Sequence, residues 1–232
     1  MTHETAQVHW SADIHPSAHI WPRAYVGAKA HVGKEANIGA GARVGAGAYV
    51  DNWASVGDRA RIGRGAHVGF DTHVGMGTYV GAKAYIGNGT NVGGEVSIGP
   101  RARVGNLARV YMRARVGSGA HIASEAIVDS EAYIGACAHV GTKVQVATKV
   151  HISSKAYVAD GVIIDTKAYI GAKARIGGGA RVGRGARVCR AVRVGVEAHI
   201  GTGAYIGTRA VITDGARVSN GDRVGACVYV GT

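Results

Sequence analysis

The chain has 232 residues, 38 of them glycine, with 10 tyrosines, a single phenylalanine and a formal net charge of +12 at pH 7. Its composition does not shift along its length and no Pro/Ser-rich linker interrupts it, so one continuous unit is expected rather than a string of dissimilar domains. No apolar run approaches the ~20 residues of a membrane helix, and the glycines do not recur every third residue, which excludes collagen.

The segment Met1 to Trp10 is polar and has no apolar h-region, so a Sec-type leader is not expected. The chain reads as cytoplasmic as synthesised, or as part of a viral particle. From Val8 to Val230, every sixth residue is valine or isoleucine, through 38 uninterrupted hexads. A six-residue period held over the whole chain predicts an all-β parallel β-helix. In the unit Val26-Gly27-Ala28-Lys29-Ala30-His31 the second position is glycine in 24 of 38 hexads, the fifth is small and the sixth is polar or aromatic. Across each join, Ala-His-Val or Ala-Tyr-Ile alternates in–out–in and predicts a very short strand. The glycine and its two followers are expected to make the corner, glycine being chosen for its tolerance of positive φ. Three strands and three corners close a triangular turn of 18 residues, about 12–13 turns in all, and a rod roughly 60 Å long.

The first three hexads are irregular. His9, His15 and Trp21 replace glycine, and Pro16 and Pro22 enter the corners. Residues 1–25 therefore read as an N-terminal cap and first irregular turn, and 26–232 as the continuous β-helix. The solenoid reaches Val230-Gly231-Thr232 with no capping helix, and an open end exposes unpaired strand edges. A protein partner or a second copy is expected to cover it. Cys137, Cys189 and Cys227 lie two or more turns apart, too far for a disulfide, and are expected to be free thiols.

Residues 18 apart stack, which sorts the outward side chains into three columns. One contains His31, Tyr49, His67, Tyr85, Arg103, His121, His139, Tyr157, Arg175 and Arg193. A second runs from Tyr25 through Tyr133, His151, Tyr169, Arg187 and Tyr205 to Arg223, and the third is mixed. Trp53, Phe70 and Leu107 fall on one corner, and Trp21, Met76, Tyr111 and Met112 on the next. These aligned apolar side chains are candidates for an oligomer interface. Arg175, Arg181, Arg187 and Arg193, with Tyr157 and Tyr169, are candidates for binding an anion or a glycan. No nucleic-acid-binding motif is present, so neither nucleic acid nor a membrane is an expected partner.

Hexads of this kind resemble the hexapeptide-repeat superfamily, over residues 8–231. The resemblance implies a left-handed parallel β-helix and a homotrimer with parallel axes; a right-handed triangular helix of the bactofilin kind is the alternative fold. It also brings two enzymatic options. The stretch Ala120-His121-Ile122-Ala123-Ser124 resembles the neighbourhood of the catalytic histidine in lipid A–type acyltransferases, but the position of that base is Ser124. The γ-class carbonic anhydrases hold zinc on three histidines, two of them five residues apart, and no pair here has that spacing. His121 and His139 stack one turn apart and are the candidates for a metal site. No P-loop or dinucleotide fingerprint is present, and no cofactor is expected. The expectation is a non-enzymatic, trimeric structural rod, a spacer, phage tail fibre or other large-particle component. An acyl-CoA-dependent acyltransferase and a glycan- or anion-binding module are the alternatives.

Overall fold

The computed structural model describes residues 1–231; Thr232, named above with the C-terminal end, lies outside the described residues. Thirty-eight two-residue strands run from β1 (Gln7–Val8) to β38 (Tyr229–Val230), each joining the sixth residue of one hexad to the first of the next. They form three parallel sheets of 13, 13 and 12 strands, in which each strand pairs with the one three further along the chain. Tyr25 stands opposite Arg43 and Val26 opposite Val44, so one turn takes 18 residues, as the period predicts. The faces are called first, second and third in chain order, beginning with the sheets that contain β1, β2 (Asp13–Ile14) and β3 (His19–Ile20).

The core is one column of first-position Val/Ile and fifth-position Ala side chains, nearly all without solvent exposure. Each buried Val or Ile contributes about 1.5–3 kcal/mol of transfer free energy. The strands hold one another through backbone bonds along the axis: His31 N–H donates to Ala48 O (2.9 Å) and Gly33 N–H to Val50 O (2.8 Å). Where threonine replaces the core alanine, its hydroxyl is satisfied inside. Thr72 donates to Gly87 O, Thr78 to Gly93 O and Thr90 to Gly105 O, at 2.8, 2.7 and 3.0 Å.

The corners correct the expectation about glycine. Positive φ falls on the fourth position of the hexad, not the second. Lys29, Glu35, Trp53 and Lys83 all take it, with φ between 55° and 63°. The corner is a four-residue turn closed by Ala30 N–H on Gly27 O, with the left-handed residue third, the type II arrangement. The second-position glycine serves close approach instead. A Cβ on Gly63 would lie 2.6 Å from Ala82 N, and one on Gly81 would lie 2.4 Å from Pro100 N, both in the next turn. At these two glycines the coils are stacked too tightly for a Cβ.

The N-terminal corners use other chemistry. Thr5, Ser11 and Ser17 occupy the fourth position without positive φ. Nδ1 of His3, His9 and His15 accepts the backbone N–H of Thr5, Ser11 and Ser17 at 3.1–3.2 Å. The three hydroxyls in turn accept N–H groups of Arg23, Lys29 and Glu35 from the following turn. Further along, third-position Asn or Asp does a related job: Asn52 Oδ1 accepts Lys34 N–H (2.7 Å) and Asp160 Oδ1 accepts Thr142 N–H (2.7 Å).

Candidate functional site

The second face carries the densest chemistry. Its strands point a sixth-position side chain outward once per turn, so neighbours in the column stand one strand spacing apart, ~4.8 Å. His121 and His139 are direct register partners. Their Nδ1 atoms are 3.1 Å apart, and their rings stack at 4.9 Å. Both are half-buried, and burial holds His121 below the usual imidazole range, helped by the neighbouring His139 and Arg103. Tyr157 stacks on His139 at 4.8 Å, and the Arg175 guanidinium lies 5.8 Å from the Tyr157 ring. Beyond them a groove of about 390 Å³ is lined by Tyr157, Arg175, Gly177, Arg193, Gly195 and Asp214.

A hydrogen bond between two imidazole nitrogens needs one proton between them. The donor of Nδ1–H then has a free lone pair on Nε2; the acceptor carries its proton on Nε2. Side by side, the pair offers a base and a hydrogen-bond donor from neutral groups. As a metal site it is limited to these two nitrogens: among the described residues no three His, Cys, Asp or Glu side chains are grouped to hold an ion.

The other candidates are more dispersed. Trp53, Phe70 and Leu107 lie on the corner between the second and third faces, and Trp21, Met76, Tyr111 and Met112 on the corner between the third and first; all seven are exposed. The four arginines wind round the rod rather than converging: Arg175 and Arg193 on the second face, Arg181 on the third, Arg187 on the first, over Tyr169. The three cysteines are free, as their spacing predicts. In a second cluster, only Asp13 was not anticipated. Asp13 Oδ2 accepts from His31 Nδ1 at 2.8 Å, and His31 begins a continuous stack through Tyr49, His67 and Tyr85. The 18-residue spacing of Asp13 and His31 was the available signal.

No protein-family model matches the chain, and no curated protein matches it in sequence. Solved structures do. A UDP-N-acetylglucosamine acyltransferase from Arabidopsis is 20% identical over 76% of this chain and 67% of its own, with a TM-score of 0.64. Another UDP-N-acetylglucosamine acyltransferase gives 15% identity over 76% of this chain and 70% of its own, TM-score 0.46. One from Bacteroides fragilis gives 20% over 81% and 68%, TM-score 0.37. The solved structure from Arabidopsis that shares the architecture is an acyltransferase, which corrects the expectation of a non-enzymatic spacer, tail fibre or virion component. Among the described residues no helix is long and apolar enough to cross a membrane. The likeness, at this identity, is one of fold: the chain is a left-handed hexapeptide-repeat parallel β-helix.

Proposed function

We propose that the chain is an acyltransferase that moves an acyl group from a thioester, such as acyl-CoA, to a hydroxyl or amine. The observation that carries the reading is the His121–His139 pair, on a fold whose solved example from Arabidopsis is a UDP-N-acetylglucosamine acyltransferase. In this reading, the Nε2 lone pair of one imidazole takes the proton of the acceptor as its oxygen or nitrogen attacks the thioester carbonyl. The Nε2–H of the other donates to the developing oxyanion. The C–S bond then breaks, and the proton returns to the leaving thiolate. Burial supports the role, because it keeps His121 neutral and able to accept. Ser124 stands where the resemblance puts a base, so the role passes to the pair itself.

The test is to incubate the purified chain with acyl-CoA or an acyl-carrier thioester and UDP-N-acetylglucosamine alongside other amino and hydroxy sugars. Product is read by mass spectrometry. Acylated product is expected, with a loss of about 10²-fold or more in His121→Ala and His139→Ala. No product from any donor–acceptor pair, or full activity in both variants, would remove the reading.

Also in this reading the chain is a homotrimer whose subunits meet on the third face. The N-terminal half of that face presents Asn37, Ser55, His73 and Asn91, without formal charge, between the two apolar corners. Light scattering on the Trp53→Ser/Phe70→Ser double variant is expected to show monomers of unchanged strand content. A variant that stays trimeric would rule out this seam.

A further inference from the structure

The charges of this chain are sorted by place. All eight lysines stand at corners, while arginine shares the strand faces with tyrosine and histidine. Asp13 is the one carboxylate on any strand face among the described residues. The ion pairs confirm the separation. Arg113–Glu95, Lys143–Glu125 and Lys149–Glu131 all join corner residues, and the remaining pair is His31–Asp13. Among the described residues no arginine on a strand face has a carboxylate within ion-pair distance.

The C-terminal half of the first face carries one such strip, on a different face from the His121–His139 pair. Tyr133, His151, Tyr169, Arg187, Tyr205 and Arg223 follow one another in register, one per turn. Five steps of ~4.8 Å make a strip roughly 24 Å long. The rings stack on one another, Tyr133 on His151 at 4.6 Å and His151 on Tyr169 at 5.1 Å. The Arg187 and Arg223 guanidinium groups lie over Tyr169 and Tyr205 at 5.8 and 5.6 Å. Ring faces are therefore turned to neighbours in the column, and ring edges to solvent. Along the edge shared with the second face runs a groove of about 550 Å³ lined by Lys173, Arg190, Thr208 and Arg209. The opposite edge carries Asp129 and Asp165, and Glu131 already paired with Lys149.

We infer that this strip is a docking surface for an acidic polysaccharide lying along the rod axis. Guanidinium groups without carboxylate partners match a carboxylate on the polymer by charge and by fork geometry. The phenol and imidazole edges between them can exchange hydrogen bonds with sugar hydroxyls. The ring orientation argues against single-stranded nucleic acid, which binds such surfaces by stacking its bases on free aromatic faces. The flat face likewise lacks a helix or ribbon to enter a duplex groove.

The test measures binding of an oligogalacturonate to the full chain at about 0.15 M salt, with a dextran of equal length and a single-stranded oligonucleotide alongside. Two triple variants carry the same loss of charge: Arg115→Gln/Arg187→Gln/Arg223→Gln, in which Arg115 is the register partner of Tyr133 one turn before the strip, and Lys29→Gln/Lys34→Gln/Lys83→Gln at distant corners. Both change exposed side chains, and thermal melts check their folding. Binding to the oligogalacturonate alone is expected, weakened about tenfold or more by the arginine triple and less than about twofold by the lysine triple. Equal weakening by the two triples would mean that net charge alone attracts the polymer, and would overturn the inference. So would an oligonucleotide bound as tightly, or no binding at all. None of these readouts depends on acyl transfer.

Discussion

The corner Gly63-Arg64-Gly65-Ala66 contains both kinds of glycine, and alanine substitution separates them. At Gly65, φ is +62° and an added Cβ meets nothing nearer than Lys83 Cγ at 3.8 Å. Gly65→Ala therefore costs the left-handed penalty of about 1–2 kcal/mol. Against it stands about 0.4–1 kcal/mol gained by stiffening the unfolded chain. The net loss is roughly 0.5–1 kcal/mol. At Gly63 φ is not positive, but the new Cβ would stand 2.6 Å from Ala82 N and 2.7 Å from Gly81 C. Both contacts are with backbone of a segment held in the ladder on either side, since Gly63 N–H donates to Val80 O and Gly81 N–H to Ile98 O, each at 2.7 Å. Relief requires the two turns to part, and overpacking of this kind costs about 1–3 kcal/mol, here near the upper end because no side chain can rotate away. Gly63→Ala should thus be the more damaging by roughly 1–2 kcal/mol, although it lacks the positive φ. Denaturant melts measure the difference, and amide exchange locates it, since a solenoid loosens turn by turn. The expected exchange increase covers the turns on either side of residues 63 and 82. Equal effects of the two substitutions, or a larger one at Gly65, would refute the close-approach account.

Two further outcomes follow from the interior and from the histidines. Thr78 Oγ1 donates to Gly93 O and accepts Val96 N–H at 3.2 Å, whereas Thr90 only donates. Thr78→Val should cost about 1–3 kcal/mol by orphaning that buried N–H, and more than Thr90→Val in the same denaturant titration; the reverse order would contradict it. His67, His121 and His151 are all held below the ordinary imidazole value, with burial the largest cause in each. The unfolded chain then binds protons that the folded chain refuses, so stability is fully present above the unfolded value of about 6.5 and declines as pH falls below it. Melting temperature should drop between about pH 7.5 and about pH 5.5, and less so in the His67→Gln/His121→Gln/His151→Gln variant. An equally steep drop in that variant would exclude these three as the source.

Much of the fold is legible in the chain because the repeat is short and each position has one environment. Valine at the first position and alanine at the fifth are buried wherever they recur between Ala18 and Val218, and the 18-residue turn puts Tyr25 opposite Arg43 as the arithmetic requires. The role of Gly63 was not legible, because its constraint comes from Ala82, 19 residues away, through a spacing that only the stacked coils reveal. The His-x-Ser corners looked irregular for a similar reason: His9 and Ser11 replace a turn geometry with side-chain hydrogen bonds, and their second partner, Lys29 N–H, belongs to the next turn. At the candidate site, the column that contains His121 and His139 follows from period alone. The 3.1 Å meeting of their Nδ1 atoms depends on ring rotation, which no pattern of residue types encodes. Function was read least well. A chain without inserted loops reads as a pure scaffold, and the acyltransferase proposed above draws on two things outside the residue pattern, a likeness of fold and the contact between two histidine rings.

The threefold turn sets a rule for editing the rod. Removing 18 residues takes out one whole coil and returns every later side chain to its original face, with the rod shorter by one step. Removing six keeps the buried register equally intact, because valine still follows alanine at the proper interval. Yet it rotates everything downstream by a third of a turn. A hexad lost between His139 and Tyr157 would leave a folded molecule whose tyrosine, arginines and groove face away from the histidines. Lengths in multiples of six preserve the body of this protein, and only multiples of eighteen preserve its surface.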